Sequence, residues 1–137
     1  MNAADVEHIL GASATESDLG LRLIECGAES LVLALPLQAR FLQGFGIVHG
    51  GVLATLADSA AVLLLFPRAE DAARGLSSIE FKLNFLCPAV LDAGDVHAHA
   101  KVLRRGRRVG VAEVELRQAG CAIAVGLFTY LYIDQAP

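Results

Sequence analysis

One carboxylate lies in a segment of the chain that is otherwise strongly apolar. Asp58 falls within residues 51–66, where all the remaining positions except Thr55 and Ser59 are Gly, Ala, Val, Leu or Phe. Burying an ionised carboxylate there is costly unless it is hydrogen-bonded, reaches water or takes part in chemistry. Nine residues earlier, His49-Gly50-Gly51 leads into a predicted helix, whose free N-terminal N–H groups favour a developing negative charge. An oxyanion site and a carboxylate on one helix are parts that acyl transfer requires.

Other roles are open for the same residues. The Asp58 carboxylate can instead be satisfied by the hydroxyl of Thr55, of Ser59 or of a strand residue at a subunit contact, which would make it structural. Histidine titrates near neutral pH, so His49 is a candidate general base. A histidine at a helix N-terminus is also commonly held there for its hydrogen bonds.

The segment that carries Asp58 has the pattern of a central helix. It is followed by Pro67, which ends helices. At about 100° per residue, Thr55, Asp58, Ser59 and Val62 form one narrow stripe, and apolar side chains cover the rest of the surface. A helix that is apolar almost all round belongs in the middle of a protein.

Strand patterns flank this helix on both sides. The predicted elements are a weak helix at 4–11 within an N-terminal extension of residues 1–18, loops at 38–48 and 68–75, and strands at 19–26, 29–37, 77–86, 95–103, 108–117 and 121–133. Short turns at Arg105-Gly106 and Ala119-Gly120 join the last three strands as an antiparallel meander. The pattern predicts a single α+β domain over residues 1–137, with an antiparallel sheet of five to six strands wrapped around one central apolar helix.

Composition limits the classes of protein that fit. Of 137 residues, 55% are hydrophobic and 19% charged, against ~25% charged in a typical domain. This apolar excess predicts self-association, as a homodimer or a dimer of dimers. A net charge of −4 argues against a nucleic-acid partner, and the apolar runs are shorter than the ~20 residues of a membrane span. The start of the chain lacks a signal-peptide pattern and the three cysteines lack metal-ligand spacing, so the expected location is the cytoplasm.

Four stretches of the sequence together resemble a known family. They are GFGIVHGGVLATLADSAAVLLLF, SSIEFKLNFLCPA, VLRRGRRVGVAEVEL and AVGLFTYL. They are similar to the hotdog-fold acyl-CoA thioesterases, in particular the PaaI-like branch of the phenylacetate-pathway type. The resemblance implies the hotdog fold and hydrolysis of an acyl-CoA thioester to a carboxylic acid and free coenzyme A, without a metal or redox cofactor. The alternatives are a non-catalytic acyl-CoA binding or sensing module of this fold and a hotdog enoyl-CoA hydratase or dehydratase.

The resemblance also implies roles for individual residues. It makes Asp58 the catalytic carboxylate, as general base toward water or as nucleophile toward the thioester, and gives Gly50 the N–H that polarises the thioester carbonyl. Gln43 would help to position that carbonyl, and Ser78, or its neighbour Ser77, would orient the attacking water. The amide and glycine of one chain would face the carboxylate and serine of another, so that two protomers share each site.

Four arginines in one predicted turn are candidates for binding the coenzyme A phosphates. They occur in the run Arg104-Arg105-Gly106-Arg107-Arg108. Arginine forks suit phosphate recognition, and a solvated hairpin tip is the alternative.

Three further residues complete the predicted site. Gly51 and Val62 are candidates for contact with the substrate, and the resemblance gives His49 a mainly structural role. His97 and His99 alternate on one predicted strand face with charged neighbours, which is more typical of a solvated face than of a metal site. No metal site is predicted.

Overall fold

The computed structural model describes residues 2–67 and 74–134. Its helices are α1 (Ala3–Ala12), α2 (Ala14–Leu19) and α3 (Gly50–Leu65), and its strands are β1 (Arg22–Cys26), β2 (Ser30–Leu35), β3 (Arg74–Phe85), β4 (Val96–Arg105), β5 (Val109–Gln118) and β6 (Cys121–Asp134). Single 3-10 turns occur at Ala39–Phe41 and Leu91–Ala93. Within these residues, no helix is long and apolar enough to cross a membrane.

The strands form one antiparallel sheet in the order β1-β2-β4-β5-β6-β3. Helix α3 packs against one face of the sheet, mainly on β4, β5 and β2. Fully buried side chains of the helix, among them Leu56 and Ala60, meet Leu33, Ala98 and Val114 of those strands in one core. The predicted hotdog architecture, a sheet wrapped around a central apolar helix, is confirmed.

Hydrogen bonds to side chains close both ends of α3. The His49 side chain caps the start. At the other end, Arg105 donates from Nη2 to the Leu64 carbonyl (2.9 Å) and from Nη1 to the Leu65 carbonyl (3.1 Å). The Tyr132 hydroxyl donates to the same Leu65 carbonyl (3.1 Å). A cation at a helix C-terminus satisfies the last carbonyls and complements the helix dipole.

The N-terminal segment holds two helices where the sequence predicts one weak helix. Helix α1 begins with a capping box, because the Asn2 side chain accepts from the Asp5 N–H and the Asp5 side chain accepts from the Asn2 N–H. Val6 and Leu10 of α1 are buried in the core. Helix α2 follows and ends at Gly20, whose φ of 70° lies in the left-handed region. This segment is therefore a packed part of the domain.

Several strand boundaries also differ from the prediction. Strand β1 begins at Arg22 and not at residue 19, because Leu19 is the last residue of α2 and Gly20 caps that helix. Strand β2 ends at Leu35, because Pro36 has no N–H to donate to the sheet. Strand β3 begins at Arg74, earlier than predicted. Residues 68–73 of the predicted loop lie outside the described residues.

Strand β3 lies at one edge of the sheet and pairs with β6. Most of its side chains are exposed, including Ile79, Phe81 and Phe85. The two strands approach closely, since a Cβ added at Gly126 would lie 2.4 Å from the Lys82 carbonyl oxygen. Only glycine fits there. A long apolar edge of this kind is typical of an interface between chains.

Candidate active site

The N-terminus of α3 has a backbone N–H, that of Gly50, with no hydrogen-bond partner among the residues that the structure describes. The His49 side chain accepts a hydrogen bond at Nδ1 from the Gly51 N–H (2.9 Å), and the His49 N–H donates to the Phe41 carbonyl (2.8 Å). Within residues 2–67 and 74–134, the Gly50 N–H donates no hydrogen bond. His49 therefore organises the helix start as a cap, and Gly50 offers a donor at the positive end of the helix dipole.

Gly50 lies in an open cleft of about 470 Å³. The cleft walls are mainly apolar and include Leu53 and Phe85, and Gln43 contributes a side-chain amide. A Cβ added at Gly50 would lie 3.3 Å from Cζ of Phe85, so the ring packs directly over the glycine. The Gln43 Oε1 accepts from the Phe45 N–H (3.3 Å). The structure thus brings Gln43 and Gly50 together.

Asp58 lies two turns further along α3 and does not line this cleft. Asp58 is eight positions after Gly50 on the helix, which places the two residues roughly 12 Å apart along the axis. The Tyr130 hydroxyl donates a hydrogen bond to Asp58 Oδ1 and lies 3.1 Å from the Asp58 carbonyl oxygen. Oδ2 has no hydrogen bond in the part of the chain that the structure describes. One carboxylate oxygen is held and the other is free.

The two hydroxyls of α3 that flank Asp58 bond elsewhere. Thr55 Oγ1 donates to the main chain one turn earlier (2.9 Å), and Ser59 Oγ donates to Glu16 Oε1 of α2 (2.9 Å). Burial raises the pKa of Glu16, but hydrogen bonds from Ser13 and Ser59 outweigh it and lower that pKa overall. Neither hydroxyl is the partner of Asp58, which is instead bonded by a strand hydroxyl of the same chain, that of Tyr130.

Tyr130 is the site residue that sequence reasoning missed. Tyr130 is 2% exposed. Burial, and to a smaller extent the contact with Asp58, raises the pKa of its hydroxyl, which therefore stays protonated and donates. A signal was present, because strand alternation places Phe128, Tyr130 and Tyr132 on the core face, and a buried tyrosine hydroxyl needs an acceptor. Tyr130 and Asp58 are 72 positions apart in the sequence, which is too far for a spacing pattern to indicate their contact.

The β3–β6 pairing distinguishes the two candidate serines. Ser78 stands directly opposite Tyr130, and Ser77 stands opposite Leu131. Residues directly opposite in an antiparallel pair point to the same face, so Ser78 shares the α3 face with Tyr130 and Ser77 points away. Ser78 is therefore the serine on the side of Asp58.

Within one chain, the candidate residues fall into two clusters. The amide cluster consists of Gln43 and Gly50, and the acid cluster consists of Asp58, Ser78 and Tyr130. The helix between Gly50 and Asp58 keeps the clusters apart.

The arginine turn divides into one inward and several outward side chains. The guanidinium of Arg105 is occupied by the end of α3, so its expected contact with phosphate is corrected to a helix-capping role. Arg104 and Arg107 are exposed, and the Arg107 carbonyl accepts from Arg74 (2.8 Å). At Gly106 a Cβ would lie 2.9 Å from the Val109 carbonyl oxygen, which makes glycine necessary in the turn.

The remaining candidates, Gly51, Val62, His97 and His99, belong to neither cluster. Gly51 is exposed and its N–H is bonded to the cap, and Val62 is half-buried one turn after Asp58. The His97 and His99 rings are 6.4 Å apart on β4. Across the described residues, no group of three or more His, Cys, Asp or Glu side chains could hold a metal ion.

Comparisons with known proteins identify relatives of the chain. The family model described as the thioesterase superfamily matches residues 45–124. A Halobacterium salinarum protein whose name assigns it provisionally to the esterases is 34% identical over 106 residues, which are 73% of this chain and 67% of that one. Mouse acyl-coenzyme A thioesterase 13 is 28% identical over 109 residues, 78% of this chain and 76% of its own. The first relatives are matched over about two thirds of their length.

Solved structures agree with these relatives. A thioesterase family protein of Silicibacter pomeroyi superimposes with a TM-score of 0.85 at 26% identity, over 96% of this chain and 98% of that one. The PaaI protein of the Escherichia coli phenylacetic acid degradation operon gives a TM-score of 0.84 at 22% identity, over 97% of this chain and 94% of its own. The chain belongs to the thioesterase superfamily and has the hotdog fold, as the resemblance in its sequence predicts.

Proposed function

We propose that the protein hydrolyses an acyl-CoA thioester to a carboxylic acid and free coenzyme A. One observation carries the proposal: among the described residues, neither the Gly50 N–H at the start of α3 nor the Asp58 Oδ2 on the same helix has a hydrogen-bond partner. The first is suited to stabilising an oxyanion, and the second to accepting a proton or attacking a carbonyl. The family membership supports thioester hydrolysis in general.

The chemistry needs both groups at one carbonyl carbon. In the general-base form, Asp58 takes a proton from water, the water oxygen bonds to the carbonyl carbon, and the Gly50 N–H stabilises the oxyanion. Collapse of this intermediate breaks the carbon–sulfur bond, and the departing thiolate receives the proton. In the nucleophilic form, Asp58 attacks the carbonyl carbon and the carbon–sulfur bond breaks, which releases the thiolate and leaves a mixed anhydride; water then hydrolyses the anhydride to the carboxylic acid and restores Asp58. Gln43 would orient the carbonyl and Ser78 the water.

A shared site reconciles this chemistry with the separation of the clusters. The roughly 12 Å between Gly50 and Asp58 in one chain is too long for both to reach one carbonyl. The exposed β3 edge, twelve residues long with Phe81 and Phe85, suits pairing with the same edge of a second chain. We propose a homodimer, with a dimer of dimers as the larger assembly, in which the amide cluster of one protomer faces the acid cluster of its partner.

Thiol release tests the proposed reaction. The wild-type protein, incubated with short, long, branched and aromatic acyl-CoA thioesters, is expected to release free thiol detected by a colorimetric reagent. Crotonyl-CoA in the same panel reports hydration of the double bond, which would identify a hydratase. Binding of acyl-CoA with no turnover on any thioester would contradict hydrolysis and support a binding module.

Mixing of variants tests the shared site. A Gln43→Ala chain and an Asp58→Asn chain each lack one half of the site, and their heterodimer regains one intact site of two. Random exchange in equal amounts is expected to restore about a quarter of the wild-type activity.

The matched control for this mixture is wild type mixed with the Gln43→Ala/Asp58→Asn double variant. With shared sites, that heterodimer has no intact site, so activity falls below the contribution of the wild-type chains. Activity that stays proportional to the wild-type chains would place each site within one protomer.

The outward arginines are expected to bind the coenzyme A phosphates. These phosphates are remote from the scissile bond, so Arg104→Ala with Arg107→Ala is expected to raise KM several-fold and to leave kcat nearly unchanged. Added salt should weaken binding by the wild type more than by the double variant. Steady-state kinetics at two ionic strengths measures both effects.

A short acyl-pantetheine thioester is the control because it lacks those phosphates, and it should respond to neither change. An unchanged KM for acyl-CoA in the double variant would leave the turn as a solvated hairpin tip. Arg105→Ala should behave differently, with a lower melting temperature from the loss of its contacts to α3.

A further inference from the structure

We propose that Tyr130 is a positioning residue that holds Asp58 by Oδ1 and leaves Oδ2 to act on the substrate. The inference rests on the proposed function, because it explains how the carboxylate of that reaction is oriented. It starts from the contact between the buried Tyr130 hydroxyl and the single carboxylate of α3.

Tyr130 is fixed by its place in the sheet. Strand β6 lies between β5 and β3, and the residue stands opposite Gly110 on one side and Ser78 on the other. Its ring is buried and has only two rotatable side-chain bonds, so the position of the hydroxyl is set by the backbone of a central strand. The hydroxyl is therefore a rigid anchor for a side chain on the neighbouring helix.

The contact fixes Asp58 relative to its own backbone. A phenol carries one proton, and the two oxygens nearest to it are Oδ1 and the main-chain carbonyl oxygen of the same residue, the latter at 3.1 Å. A donor between these two acceptors selects one side-chain rotamer. Oδ2 then points in one direction, which is the requirement for attack or proton transfer at a fixed carbonyl.

The two other hydroxyls on this stretch of α3 bond elsewhere and do not replace this contact. Thr55 is bonded to the main chain of α3 and Ser59 to Glu16. Among the described residues Asp58 takes part in no ion pair, and Glu16, on α2, is the other acid linked to this stretch of α3. The phenol is thus the donor that stabilises the ionised carboxylate. Because burial keeps it protonated, it donates throughout the working pH range.

The test is Tyr130→Phe, which removes the hydroxyl and keeps the ring. With the substrate that the wild type hydrolyses best, kcat is expected to fall by ~10- to 100-fold while KM stays within about twofold, because the carboxylate is misplaced and the substrate contacts remain.

Tyr132→Phe is the matched control. Tyr132 is a buried tyrosine two residues away on the same face of β6, and its hydroxyl bonds to Leu65 at the far end of α3. This variant loses the hydrogen bond to Leu65 and a longer one from Arg105 (3.4 Å), so its melting temperature should fall at least as far as that of Tyr130→Phe, while its kcat should match the wild type. Circular dichroism and gel filtration establish that both variants keep the fold and assembly.

Three outcomes separate the claims. The expected loss of kcat at a nearly constant KM in Tyr130→Phe alone supports the positioning role. A kcat equal to the wild type, or the same loss of kcat in both variants, overturns it and leaves the proposed hydrolysis standing. A wild type that hydrolyses no thioester overturns the proposed function, and the role of Tyr130 in it falls as well.

Discussion

Replacement of Asp58 by Asn is expected to lower kcat for thioester hydrolysis by at least ~10²-fold while the protein stays folded. Asparagine keeps the shape of the side chain, and its Oδ1 can still accept from Tyr130. It can neither take a proton from water nor attack a carbonyl as a carboxylate does. Thiol release under saturating acyl-CoA, with the melting temperature measured alongside, gives both quantities.

The charge-matched control for this change is Asp92→Asn, at an exposed carboxylate in the short turn after β3. It also removes one negative charge and should leave kcat unchanged. Near-normal turnover in folded Asp58→Asn would end the catalytic assignment. Unfolding of that variant would show that the carboxylate serves α3 instead.

Gly126→Ala is expected to destabilise the protein by about 3 kcal/mol and to lower its melting temperature by about 10 °C. The added Cβ would lie 2.4 Å from the Lys82 carbonyl oxygen and 3.1 Å from Leu83 Cα, both backbone atoms of β3. Relief requires β3 to move away from β6. Because Ser78 belongs to β3, activity and assembly should fall together with stability, measured by thermal unfolding and gel filtration.

Gly11→Ala tests whether any added methyl has this effect. Gly11 lies in α1, and a Cβ there meets nothing within 4 Å. Alanine favours a helix over glycine by up to ~1 kcal/mol, so this variant should be as stable as the wild type or slightly more so. A Gly126→Ala protein as stable as Gly11→Ala would contradict the close approach of β3 to β6.

The parts of the fold that could be predicted are those specified locally. Helix α3 follows from an apolar run before Pro67, and the β4–β6 meander follows from alternation interrupted by short turns. Helix α2 escaped prediction because its six residues, ATESDL, bury no side chain and carry no apolar stripe. Its links to the core are the packing of Leu19 and the tertiary hydrogen bond between Glu16 and Ser59, and the hydrogen bond has no local signature.

The same distinction applies to the site. Residue type and spacing were enough to single out Asp58 and the helix start at His49-Gly50-Gly51, and the family resemblance then selected Gly50 as the N–H donor. The Arg105 side chain points inward because the end of α3 lies close to the β4–β5 turn. That proximity is a tertiary feature and cannot be predicted from the local sequence. The choice of Ser78 over Ser77 depends on the register of β3 against β6, and a shift of one residue would have reversed it.

The sheet order also dictates when this site can form during synthesis. In the described sheet, β3 has β6 as its neighbour, and 35 residues separate the end of β3 from the start of β6. At an elongation rate of about 5–20 residues per second, β3 waits for about 2–7 s before synthesis of its partner strand begins. Throughout that interval β3, with its apolar residues Ile79, Phe81 and Phe85, lacks the strand with which it pairs. An unpaired apolar strand is prone to aggregate, so the nascent chain carries this risk from the synthesis of Phe85 to that of β6.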